Sequence, residues 1–142
     1  PILMMPTPEQ QRHRMIERAV RRLPTAHADG SILLWQSLAA ELCVIIGDRG
    51  FESLYARSLY RAGADYPWLE PHPPQTAAVA FKQLSLRLQG RTPADAQAAS
   101  AALLNIFTDT LILLIGDLLT NTILRTAWGD DIVNGAGPEH RT

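Results

Sequence analysis

A single cysteine, Cys43, and a single lysine, Lys82, stand among the 142 residues. One cysteine excludes an intramolecular disulfide framework and suits a reducing compartment. The four histidines, His13, His27, His72 and His140, are scattered. No two share an i, i+4 spacing and no Cys-x-x-Cys occurs, so no metal is expected. Gly47, Gly50, Gly63 and Gly90 are isolated and follow no strand, which leaves no phosphate cradle. No nucleophile sits beside a base. Cys43, inside the apolar run Leu42–Ile46 with no cation or helix start adjacent, reads as a buried thiol. His13, flanked by Arg12 and Arg14, lacks the motif of a phosphotransfer histidine. The expectation is a protein that is not an enzyme and carries no cofactor.

Charge of one sign is lacking too. Thirteen basic residues face 14 acidic ones, a net charge of −1, which removes the broad electrostatic case for nucleic acid or a membrane surface. Residues Pro1–Pro6 have no basic region of the kind a secretory leader needs. The most apolar stretch, Leu103–Leu119, is interrupted by Asn105, Asp109 and Asp117, and a membrane span needs about 20 mostly apolar residues. No membrane segment is read, and the expected address is the cytoplasm.

What the chain does have is apolar residues, 46% of the total, enough to offset the entropy of folding in one domain of this length. Their periodicity is helical nearly throughout. A first helix is expected over Pro8–Leu23, capped by Thr7, with Pro8 at its first position. Ser31 is read as the cap of a second, almost wholly apolar helix to Ile46. Gly47 turns the chain, and Asp48 is read as the cap of a third helix to Ala62. The connector 63–75, with Pro67, Pro71, Pro73 and Pro74, runs extended. A fourth helix covers Gln75–Gln89. The fifth opens at Thr92-Pro93 and runs to Ile115, and the sixth follows Gly116-Asp117 to Trp128. These lie in one helical domain, 1–128, followed by a polar tail, 129–142. The fold class is all-α, a compact bundle of five or six helices.

An offset of 69 residues pairs Thr7 with Thr76, Ser31 with Ser100, and Ile46-Gly47-Asp48 with Ile115-Gly116-Asp117. In all it gives ten ungapped identities between positions 7 and 48 of the first copy. It lays the first three helices on the last three. The reading is an internally duplicated three-helix unit, 7–62 and 76–128, with a helix–Gly-Asp–helix elbow in each half.

Three surfaces are candidates for function. The connector and the helix before it hold Tyr55, Arg57, Tyr60, Arg61, Tyr66 and Trp68, residue types enriched in binding hot spots. The competing reading has Trp68 and Leu69 tucked back as a lid on the bundle. Trp35, Phe81, Phe107 and Trp128 would line a pocket for an apolar or aromatic ligand if the central helices enclose one. Arg12, Arg14, Arg18, Arg21 and Arg22 on the first helix could contact phosphates, although a solvated helix face explains them more simply. Two nearly all-apolar helices exceed what short neighbours can cover, and such excess marks an interface. The expected function is a protein–protein interaction or regulatory role with self-association, as a homodimer or with another protein. A small-molecule sensor is the alternative, and nucleic-acid binding stands behind it.

Overall fold

The computed structural model describes residues 7–21 and 27–129, with side chains in the second stretch from residue 30 onward. It is all-α, as expected. Helix α1 spans Pro8–Arg21, α2 His27–Ala62, α3 Ala77–Gln89, α4 Pro93–Ile115 and α5 Asp117–Trp128, with a short 3-10 turn at Pro67–Leu69. Arg22, the end of the expected first helix and the tail from residue 130 lie outside the described residues.

Helix starts follow the sequence closely. Thr7 and Gln10 form a reciprocal capping box: the Gln10 amide donates to Thr7 Oγ1 and the Thr7 amide to Gln10 Oε1, each at 3.0 Å. Thr76 accepts from the Val79 amide at 3.4 Å and Thr92 from the Asp95 amide at 3.1 Å. Thr7 and Thr76, equivalent under the 69-residue offset, therefore cap equivalent helices.

The elbows share a backbone conformation. Gly47 has φ 81°, ψ 162° and Gly116 has φ 92°, ψ 162°, a region open essentially to glycine alone. It lies outside the left-handed helical region at ψ of about 47°. The chain doubles back sharply at the first elbow. Trp35 and Tyr55 lie 20 residues apart, about 30 Å along a straight helix, yet their ring centroids are 5.0 Å apart. We treat α2 as two arms, 27–46 and 48–62.

One capping expectation is corrected. Ser31 does not cap the second helix, which already begins at His27. The Ser31 hydroxyl instead meets the Ser100 hydroxyl at 2.9 Å in the buried interior. Asp117 makes no side-chain capping bond. It occupies the first helical position, where its charge favours the helix dipole.

The packing interleaves the halves. Helix α1 rests mainly on α4, α3 on α2, and α5 on α2. Each half's first helix thus lies on the other half's long helix. A residue touching its own 69-residue counterpart, Ser31 against Ser100, has the pattern of an approximate twofold axis through that contact. One core joins all five helices: Ile16, Trp35, Leu38, Leu42, Leu103, Phe107, Leu111 and Leu124 are all fully buried.

Candidate functional site

The aromatic quartet suggested as a ligand chamber is filled by its own rings. Trp35 packs edge-on against Phe107 with centroids at 5.0 Å and lies 6.2 Å from Phe81. The Trp128 indole donates to the Leu34 carbonyl at 3.0 Å. Edge-to-face pairs at these spacings are core packing.

The suggested partner surface divides. Tyr55 is buried, and burial pushes its hydroxyl above the usual tyrosine range, so it belongs to the core and not to a docking face. Arg57, Tyr60 and Arg61 are exposed. Leu69 is tucked into the core, with Tyr66 and Trp68 half-buried beside it. The Arg91 guanidinium lies 4.7 Å over the Trp68 ring, and Arg87 pairs with Glu70 at 2.9 Å. The connector is closed down as a lid, because its 3-10 turn packs on α3 and α2 and its apolar side chains have a core to enter.

The basic face of α1 is also not uniform. Arg14 and Arg21 are exposed and Arg18 is half-buried. Arg12 turns inward: its side chain is 9% exposed, and Nη2 lies 2.8 Å from Asp109 Oδ1, with Nη1 3.7 Å from Asp117 Oδ1. A guanidinium held by two carboxylates has little left for phosphate.

Around that pair lies a cluster that sequence spacing does not reveal. His13 Nε2 is 2.9 Å from Asp109 Oδ2 and 3.9 Å from Glu9 Oε2. Glu9 and His13 are one turn apart on α1, so both project toward the Asp109 face of α4. In the other half the equivalent positions are Ala78 for Glu9, Phe81 for Arg12, Lys82 for His13 and Ala40 for Asp109. The fold is built there from apolar packing, without the charged network.

Two surface grooves have one wall in common under the same offset, the side formed by the long helix. One, of about 450 Å³, runs between α1 and α4 and includes Glu17, Arg21, Ala101, Ala102 and Asn105. The other, of about 520 Å³, runs between α3 and α2 and includes Ile32, Leu33, Gln36 and Lys82. Ile32, Leu33 and Gln36 are the counterparts of Ala101, Ala102 and Asn105, so the first groove has alanines where the second has larger apolar side chains. The Asn105 side-chain carbonyl is shielded there without a hydrogen-bond partner.

The elbows themselves are apolar and uncovered. Val44 is 86% exposed before Gly47, and its counterpart Leu113 is 85% exposed before Gly116. Ile45 and Leu114 are likewise exposed, and Leu118 and Leu119 continue the patch beyond the second elbow.

Two helices, Gly30–Ala62 and Pro93–Ile115, are long and apolar enough to cross a membrane by length and composition. The core helix of a soluble protein passes the same test, and 39% of each span is buried inside the molecule. In the first of them the Gly47 bend leaves residues 30–46 straight, about 25 Å at 1.5 Å per residue. The chain matches no protein-family model, no curated protein and no solved structure.

Proposed function

We propose that this protein is a self-associating helical interaction module, with its apolar elbows as the contact surface and a second copy of the chain as the occupant. The observation that carries the reading is the repetition of exposed Val44 and Ile45 by Leu113 and Leu114 at the same register of two elbows with the same backbone geometry. Single exposed apolar residues are ordinary. Four leucines around one bend, Leu113, Leu114, Leu118 and Leu119, are exposed together, and apolar surface gathered in one place is what marks an interface. A second copy fits because each molecule presents the same apolar tip twice, and closed assemblies use the same patch on both partners.

The test is a pair of charge substitutions on the exposed leucines, Leu113→Glu with Leu118→Glu, followed by light scattering. The pair is expected to shift the assembly to monomer while leaving the helical spectrum intact. A control, Leu86→Glu on the exposed face of α3, is expected to leave the assembly unchanged. An elbow variant that associates like the parent would overturn the reading.

Small-ligand binding is a second reading, and the α1–α4 groove supports it better than the aromatic quartet does. Its alanine floor and the unpaired Asn105 carbonyl offer room and one polar anchor. Nucleic-acid binding has weaker support, since Arg12 is already neutralised by Asp109 and Asp117.

A further inference from the structure

The geometry points to a divalent transition-metal site, of the class that takes zinc, formed by Glu9 and His13 of α1 and Asp109 of α4. It is independent of self-association, since all three residues belong to one chain.

The donor atoms of the three side chains lie within 4.8 Å of one another. Zinc holds nitrogen and oxygen donors at about 2.0–2.2 Å in a tetrahedral shell, which sets neighbouring donors about 3.4 Å apart. The distances from His13 Nε2, 2.9 Å to Asp109 Oδ2 and 3.9 Å to Glu9 Oε2, bracket that value. Glu9 is exposed and can rotate inward, so the two distances from His13 need to change by about half an ångström each, and the Glu9 and Asp109 donors lie within 4.8 Å of each other. One imidazole with two carboxylates suits zinc, and a fourth position would be left to water.

The surroundings favour the same assignment. Arg12 bonds Asp109 Oδ1 at 2.8 Å, which orients the carboxylate, and His13 Nε2 lies 3.0 Å from that Oδ1 and 2.9 Å from Oδ2. Hydrogen bonds to the non-ligating oxygen of a metal-bound carboxylate are the usual outer shell of such sites. On zinc binding the Nε2 proton that bridges His13 to Asp109 passes to solvent and the nitrogen lone pair takes the metal. The cluster is also not a requirement of the fold: the equivalent positions of the other half, Ala78, Lys82 and Ala40, provide one cation and no ligand set. Two donors a turn apart on one helix, with a third from the helix packed against it, are pre-positioned by α1–α4 contact alone.

Calorimetric titration of the chelator-stripped full chain with zinc alone tests the site. One zinc per chain is expected, with Kd on the order of 10 μM. His13→Gln and Glu9→Gln are each expected to weaken binding about 10-fold or more, while His72→Gln leaves it unchanged. Asp109→Asn is expected to do the same as the first two. Because it also breaks the Arg12 pair, Glu9→Gln, which leaves that pair intact, decides the matter if the asparagine variant fails to fold. No saturable zinc binding by the parent, or equal binding by His13→Gln and Glu9→Gln, would overturn the proposal.

Discussion

Ser31 and Ser100 are the residues on which the two halves meet. Their hydroxyls share one hydrogen bond at 2.9 Å, and both side chains are buried. Removing one hydroxyl leaves its partner unsatisfied, which costs about 1–3 kcal/mol, whereas removing both is close to neutral. Ser31→Ala and Ser100→Ala are therefore each expected to lower stability, with the double variant regaining most of the loss in a double-mutant cycle by urea denaturation. Additive losses would mean that the hydroxyls do not act on each other. Cys43 gives a second expectation. Desolvation first, then the hydrogen bond the thiol donates to Asp48 and the charges of Asp48 and Glu52, raise its pKa from 9.0 to about 11. The thiolate is thus the disfavoured form, and about one thiol in a thousand is ionised at pH 8. Alkylation by iodoacetamide is expected to be slow at pH 8 and to rise tenfold per pH unit up to about pH 11. Fast labelling at neutral pH would show a different environment.

The elements were legible where local chemistry decides them. Thr7, Thr92 and Pro93 announced helix starts, and the two Ile-Gly-Asp triplets marked both bends. Ser31 misled because a serine before an apolar run reads as a cap. Here the helix begins four residues earlier, and the hydroxyl serves a contact 69 positions away. The Glu9–His13–Asp109 cluster was illegible for a similar reason, since Asp109 lies 96 residues from His13 and meets the α1 pair only through α1–α4 packing. Its one sequence signal was Asp109 itself, a carboxylate inside an apolar helix that needs a cation nearby. At the bends, a Cβ on Gly47 or Gly116 would meet nothing within 4 Å, so any cost of alanine there is backbone strain. Gly47→Ala and Gly116→Ala are each expected to cost about 1–3 kcal/mol, and by similar amounts because the dihedrals match. Unchanged denaturation midpoints would remove the conformational requirement from the elbows.

At the scale of the whole molecule, α1 lying on α4 and α3 on α2 means that neither half encloses a core by itself. The bundle packs the first helix of each candidate repeat on the long helix of the other. The apolar residues it leaves over are those at the bends, Val44, Ile45, Leu113, Leu114, Leu118 and Leu119. Burying them needs a further surface, and another copy offers the matching one. The most direct measurement is the mass of the unmodified chain by light scattering across a concentration series at tens of micromolar. Twice the 15.6 kDa chain mass, falling toward a single chain on dilution, is the expected result. A mass of one chain at every concentration would contradict the account.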